Sequence, residues 1–445
     1  MKFLLVTSQN KNLVKLWACQ ETSHIGSLLP PVDLCSIAAS LRKNEHIAKI
    51  SDLRLFKNPL STYSEELKSF KPDAIIINIS TTSANYDYEI IKNTPKTVKK
   101  IAFGTHSIAM PEDCFNNGID YILTGDPEVD IIDLIKNNFS SKMVSNYFKN
   151  LDELPFPALD LIDLEKYHTL YIKSERFSVL LGSRGCHYSC TYCLMPELFG
   201  NKIRLRSINN IVDEMQLDFE KYKITEFLFL DATFNINEER IYKLCEEILN
   251  RNLESLKWSC NMRVTPVSEK LLRMMKKAGC TRIYYGVEDI DLLEEVRKKI
   301  TLAEIKNAFH LTKNAGIKTV AFIMLFPDTN NNEKSYVSKI VSLLKEIKTD
   351  SVQCNVAIPF PGTAMHKNFK TSLSNDWSTY DPNGEKLPYQ SSIDLIKAKK
   401  DIYINFAILN PYIIIKTLFE VNLKDLFFMM KKFLIMLVEK FKTSS

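Results

Sequence analysis

Gly185-Cys186-His187-Tyr188-Ser189-Cys190-Thr191-Tyr192-Cys193 is the stretch around which the chain is organised. It holds three cysteines, with three residues between the first pair and two between the second. A strand-like apolar run at 177–181 precedes it, and a helix-compatible stretch follows. Three thiolates this close in sequence can hold a cubane iron–sulfur cluster while leaving one iron open to a substrate or cofactor. The competing reading is a zinc knuckle. A structural zinc takes four closed ligands, and a fourth at short spacing exists only if His187 bends round. Disulfide pairing fits poorly with a cluster of three among ten cysteines that are otherwise scattered.

Downstream, strand-like runs at 226–230, 257–260, 281–285, 319–325 and 351–358 join the run at 177–181. Helices begin between them near Ser207, Asn237, Ser268, Thr301 and Asn332, and Ser207 is a residue that caps helix N-termini. Glu304 follows Thr301 at capping-box spacing. Six strand–helix units predict a parallel (β/α)6 barrel of the TIM type, with its chemistry at the carboxyl ends of the strands. Those ends carry Asp231, Arg263 and Glu288. A carboxylate suits an ammonium, and a guanidinium suits a carboxylate. Cys245, Cys260, Cys280 and Cys354 fall within helices or strands and read as buried structure.

Upstream, strands at 3–7, 47–50, 73–79, 98–103 and 119–123 alternate with helices at 31–44, 111–117 and 129–137. This pattern predicts a Rossmann-like, doubly wound α/β sheet, whose ligands bind outside the carboxyl ends of the strands. Those ends are Asp52, Ser80 to Ser83, Gly104 to His106, and Gly125-Asp126. Two prolines in Leu154-Pro155-Phe156-Pro157 make the connector extended. The domain reading is therefore 1–142 for the first unit, 143–172 for the linker, 173–370 for the barrel and 371–445 for a C-terminal loop and helical region.

At 445 residues the chain can bury more than one core, and its formal charge of +5 argues against a dedicated nucleic-acid surface. The first residues read as a strand start, not a signal peptide. The apolar run at 402–415 is broken by Asn405, Asn410 and Pro411, short of the roughly 18 residues a spanning helix needs. A cytoplasmic location is expected. Lys431-Lys432 between Phe427–Met430 and 433–438 gives a basic amphipathic pattern, compatible either with peripheral contact to a membrane surface or with packing on the protein itself. Trp377, Tyr380 and Tyr389 lie in a loop-like stretch that either covers the barrel mouth or packs on the surface.

The cysteine loop, with Tyr192 before its last cysteine, resembles the CxxxCxxC loop of the radical S-adenosylmethionine (radical SAM) superfamily. The resemblance implies that Cys186, Cys190 and Cys193 ligate a [4Fe–4S] cluster. It implies that the fourth iron chelates the amino and carboxylate groups of SAM, and that one electron cleaves the sulfonium to a 5′-deoxyadenosyl radical. It further implies a partial barrel open on one side, and a SAM site containing Tyr192, Asp231, Arg263 and Glu288. There Asp231 meets the amino group, Arg263 the carboxylate and Glu288 the ribose hydroxyls. An electron donor such as flavodoxin or ferredoxin is expected. Residues 322–329 depart from the Gly-Pro-Gly-Glu-Thr turn of relatives, whereas 359–363 match them.

The first unit resembles the cobalamin-binding domain that precedes many radical SAM barrels, as in anaerobic magnesium-protoporphyrin monomethyl ester cyclases. The resemblance lies in Pro30-Pro31, the strand ending at Asp52, Gly104-Thr105-His106 with Pro111-Glu112, the stretch 121–128 and the connector. It implies cobalamin contacts from Asp52, Ser80, Thr82, Gly104, His106 and Gly125. One departure stands out. Where relatives carry Asp-x-His-x-x-Gly, this chain has Asp52-Leu53-Arg54, and arginine stays protonated and cannot ligate cobalt. The expected function is radical SAM chemistry on a small-molecule or lipid substrate: C-methylation, or a radical cyclisation or oxidation. The alternatives are a non-catalytic cobalamin- and cluster-binding regulator and a tRNA methylthiotransferase-like enzyme. The latter's front domain carries three cluster cysteines, and Cys19, Cys35 and Cys114 do not match their placement.

Overall fold

The computed structural model describes residues 1–8, 27–199, 202–327, 332–369 and 372–411, and the backbone of a short antiparallel hairpin, Leu13–Leu16 with Cys19–Thr22. A six-stranded sheet comes first: β1 Lys2–Thr7, β2 Ile47–Asp52, β3 Ala74–Asn78, β4 Lys99–Phe103, β5 Tyr121–Leu123 and β6 Met143–Val144. Its order is β2-β1-β3-β4-β5-β6 and every pairing is parallel. Phe3 and Leu5 enter one core while Leu4 and Val6 enter another, as the two-residue period of a strand requires. Helices cover both faces, which is why β3 is buried along its whole length. They are α1 Val32–Lys43, α2 Pro59–Phe70, α3 Ala84–Lys92, α4 Thr105–Ala109, α5 Pro111–Asn116 and α6 Pro127–Lys136. The strand order reverses between β1 and β3, the place where such sheets hold ligands.

The second sheet is also six-stranded and parallel: β7 Phe177–Leu180, then β10 Glu226–Phe229, β11 Lys257–Met262, β12 Cys280–Gly286, β13 Lys318–Leu325 and β14 Ser351–Val356. Neighbours pair in sequence order, and among the described residues β7 and β14 do not pair with each other, so the barrel stays open. The caps anticipated at Ser207 and Thr301 are present, and the other three helix starts are capped as well. Ser207, Asn237, Ser268, Thr301 and Asn332 each accept a hydrogen bond from the backbone three residues on, and Thr301 with Glu304 forms a reciprocal capping box. These open α8 Ile208–Tyr222, α9 Glu238–Asn250, α10 Glu269–Lys277, α11 Leu302–Asn314 and α12 Glu333–Ile347. Between β7 and α8 the chain makes an antiparallel excursion, β8 Ser183–Gly185 with β9 Ile203–Leu205, and α7 Met195–Phe199 lies within it.

The connector packs on the first unit: Ala158 N donates to Cys35 O at 3.0 Å and Tyr167 Oη donates to Asp52 at 3.0 Å. Beyond the short helix α13 Ala364–Lys367 the chain crosses back to the first sheet. Trp377 Nε1 donates to Asp113 at 3.1 Å and Thr82 donates to Tyr380 O at 3.2 Å. Of the aromatic residues expected there, Trp377 and Tyr380 pack on the first unit, and Tyr389 donates to Ala357 O at 2.6 Å. The last described helix, α14 Leu395–Leu409, packs against α12 and β14 and ends just before Pro411. The basic amphipathic pattern at 427–438 and the Asp328-Thr329 pair lie outside the described residues. No helix among the described residues is long and apolar enough to cross a membrane.

Candidate active site

A cavity of about 350 Å³ opens at the carboxyl ends of the second sheet. Cys186, Cys190 and Cys193 line it, together with Tyr192, Asp231, Arg263 and Glu288. The cysteine loop hangs from the β8–β9 hairpin. Gly185 turns the chain into the loop at φ +98°, and a Cβ there would stand 2.1 Å from the Lys202 carbonyl oxygen, so only glycine permits this approach. Two backbone hydrogen bonds then pin the loop from either side. Thr191 N donates to Val296 O at 3.1 Å, and Met365 N donates to Thr191 O at 2.8 Å. Cys186 Sγ lies 3.5 Å from the Thr233 hydroxyl, and Cys190 Sγ lies 3.8 Å from Arg297 O.

Burial, aided by the neighbouring Cys190 and Cys186 sulfurs, pushes the Cys193 thiol up to about 12, against the lowering effects of a hydrogen bond from the Met195 backbone and of Lys298. A bound metal would deprotonate such a thiol outright. Among the described residues no three His, Cys, Asp or Glu side chains are gathered closely enough to hold one metal ion. One tetrahedral zinc would draw its thiolates to about 3.8 Å of each other, given Zn–S bonds near 2.3 Å. A cubane sets each thiolate on its own iron and spaces them more widely. Three thiols around one cavity with an open side fit the second arrangement.

Asp231 is buried. It accepts from the Ser183 hydroxyl, and from Gly182 N at 3.1 Å. Burial raises its carboxyl above the ordinary value despite those two hydrogen bonds. A cation beside it would restore the charged form. The Arg263 guanidinium stacks 3.6 Å over the Tyr188 ring and donates to the Lys298 and Lys299 carbonyls. Its Nε is buried without a partner among the described residues. Glu288 sits at φ +60°, a costly conformation for a residue with a side chain, and accepts from Lys298 Nζ at 2.7 Å.

Lys298 was not legible as a site residue. It comes from the loop after β12, ten positions beyond Glu288, in the basic triplet Arg297-Lys298-Lys299. Nothing in that local sequence separates a buried lysine from a solvated one. Its ammonium reaches Glu288 and, at 3.3 Å, the Tyr192 hydroxyl. One part of the wall is apolar, with Tyr284 and Phe322 rings 5.6 Å apart and Met324 and Phe360 also lining it.

The residues singled out in the first unit lie apart from this cavity, along the carboxyl edge of the first sheet. Asp52 is held by Arg54 at 2.8 and 2.6 Å, by Thr7 at 2.7 Å and by Tyr167. Burial would raise the Asp52 carboxyl, but the Arg54 charge and hydrogen bonds outweigh it and hold it below the ordinary value. Ser80 bonds Ser83 at 2.8 Å, and Thr82 bonds the C-terminal segment. His106 is fully buried, with ring nitrogens 3.1 Å from Thr81 Oγ1 and 3.0 Å from Asp113 Oδ2 and its ring edge-to-face with Trp377. Gly104, at φ +106°, leaves room that a Cβ would fill 2.2 Å from Asn78 Oδ1. Gly125 N donates to Asp130 Oδ2 at 2.7 Å.

The model of the radical SAM superfamily matches residues 180–340. The chain carries a radical SAM domain. An uncharacterised methyltransferase of Pyrococcus horikoshii is 29% identical over 94% of this chain and 95% of its own length. The anaerobic magnesium-protoporphyrin IX monomethyl ester cyclase of Cereibacter sphaeroides is 25% identical over 71% of this chain and 56% of its own. Among solved structures, the cobalamin-dependent SAM radical enzyme OxsB with aqua-cobalamin and SAM bound covers 97% of this chain and 70% of its own, with TM-score 0.68 and 16% identity. That likeness extends the shared fold beyond the radical SAM domain to both sheets. The radical SAM match at residues 180–340 implies a [4Fe–4S] cluster and SAM as cofactors.

Proposed function

We propose that this chain is a cobalamin-dependent radical SAM enzyme that methylates an unactivated carbon of an apolar small-molecule or lipid substrate. The observation that carries the reading is the convergence of Cys186, Cys190 and Cys193 with Asp231, Arg263 and Glu288 on one cavity. When bound, the cluster and SAM supply a carbon radical, and cobalamin supplies a transferable methyl group. The three thiols hold the cluster. Asp231 receives the SAM ammonium, Arg263 Nε the carboxylate, and Glu288 the ribose. Tyr284, Phe322 and Met324 exclude water from the reacting carbon.

The first unit fits a cobalamin without a protein ligand to cobalt. Arg54 stays protonated, and it is held by Asp52 and by Leu29 O at 3.0 Å. His106 is held between Thr81 and Asp113. One observation supports methyl transfer over the other readings: the Pyrococcus horikoshii relative, matched over 95% of its own length, is named a methyltransferase. Methylthiotransferase chemistry is disfavoured because Cys35 and Cys114 are buried on opposite faces of the first sheet and cannot share a second cluster. Radical cyclisation, after the relative from Cereibacter sphaeroides, is the second reading.

The test is anaerobic reconstitution with iron, sulfide and hydroxocobalamin, followed by reduction with SAM present. Formation of 5′-deoxyadenosine or S-adenosylhomocysteine by the protein, lost when all three cysteines are alanine, is the expected result. Product formation by the triple variant, or none by the reconstituted wild type, contradicts the reading.

A further inference from the structure

Arg184 and Arg204 face each other across the β8–β9 hairpin, from which the cysteine loop hangs. Like charges directly opposite on an antiparallel pair repel. Both side chains instead reach out of the barrel to Asp126, the N-cap residue of α6, and to Glu128 in its first turn, in the first unit. Arg184 meets Asp126 at 2.9 Å and Glu128 at 2.6 Å, and Arg204 meets Asp126 at 2.5 Å and donates to Phe148 O at 3.1 Å. Asp126 and Glu128 are almost entirely buried, with side chains 0% and 2% exposed, and Arg184 is 8% exposed. Asp126 also accepts from Phe148 N at 2.8 Å.

Buried ion pairs seldom stabilise a fold more than apolar packing would, but they demand one geometry. Here that geometry is imposed two residues before Cys186. We propose that Asp126 and Glu128 are positioning residues for the iron–sulfur loop. Through Arg184 and Arg204 they set where Cys186, Cys190 and Cys193 present their sulfurs. This rests on the proposed reading of those cysteines as cluster ligands. It makes the first unit part of the cluster site, and it joins the carboxyl edge of the first sheet mechanically to the loop.

The test uses the full chain with Asp126→Asn, Glu128→Gln and the double variant Asp126→Asn/Arg204→Gln. In the apoprotein, alkylation by iodoacetamide is followed peptide by peptide. In the reconstituted protein, iron release to a ferrous chelator is timed. Asp126→Asn is expected to speed alkylation of Cys186, Cys190 and Cys193 and iron release about tenfold each, with Glu128→Gln changing both in the same direction. Alkylation of buried Cys260 and Cys354 stays at the wild-type rate. Removing the opposing charge in the double variant brings the loop rates back to within about twofold of wild type. Unchanged loop rates in Asp126→Asn overturn the proposal. So does a parallel rise at Cys260 and Cys354, which reports general unfolding, or a double variant no better than the single. If wild type takes up no iron, the cysteine reading fails, and the alkylation arm still decides this one.

Discussion

Lys298 Nζ donates to Glu288 Oε1 at 2.7 Å, and the two side chains are 9% and 8% exposed. Each charge is thus nearly out of water, and each depends on the other. Removing one partner of a buried pair leaves an uncompensated charge, at a cost of about 3–5 kcal/mol. Lys298→Met should therefore lower the free energy of unfolding by about 3 kcal/mol in urea titrations. Adding Glu288→Gln should recover more than half of that loss, although SAM binding stays impaired. Equal instability of the single and double variants contradicts a paired role.

Asp33 gives a pH signature. Burial pushes its carboxyl up to about 6 from 3.8, against hydrogen bonds from Asn78 Nδ2 at 2.8 Å and Leu34 N at 2.8 Å. Between those values the folded state holds the proton and the unfolded state has released it, so stability falls as pH rises through the window. The shift corresponds to roughly 3 kcal/mol as an upper bound. Asp33→Asn should unfold at higher urea than wild type near pH 7. That advantage should shrink as the pH falls toward about 4, below which both states of the wild type are protonated at this site. A constant difference across the range contradicts the assignment.

In the first unit Arg54 cannot ligate cobalt and is paired with Asp52, and the one candidate, His106, is already engaged by Thr81 and Asp113. Cobinamide, a corrinoid without the nucleotide base that cobalamin can turn onto its own cobalt, loaded on the protein and reduced by one electron should give an electron paramagnetic resonance spectrum free of nitrogen superhyperfine splitting. Splitting from one nitrogen would mean that His106 leaves its buried site to bind the metal.

The parts legible in the sequence were those with strong local chemistry. The cysteine loop, the five helix starts of the barrel, with caps at Ser207 and Thr301, and the uninterrupted apolar strands all stand where their residue types require. The two longest helices that escaped, α2 and α3, did so because their buried stripe is thin or mixed. In α2 only Tyr63 is buried, and α3 interleaves Asp87 and Tyr88 with its isoleucines. The β8–β9 hairpin escaped because three-residue strands give no periodicity. Asp231, Arg263 and Glu288 were visible at strand ends, whereas Lys298 arrives from a loop, and the contact of Arg184 with Glu128 spans two units. Pairings of that range leave no trace in local sequence.

The most direct test of the three-cysteine site is Mössbauer spectroscopy of protein reconstituted with isotopically enriched iron, before and after SAM. A cubane held by Cys186, Cys190 and Cys193 should show one iron distinct from the other three, and that site alone should shift when SAM binds. Four equivalent irons that ignore SAM, or no cubane spectrum from protein with all three cysteines intact, would contradict the account.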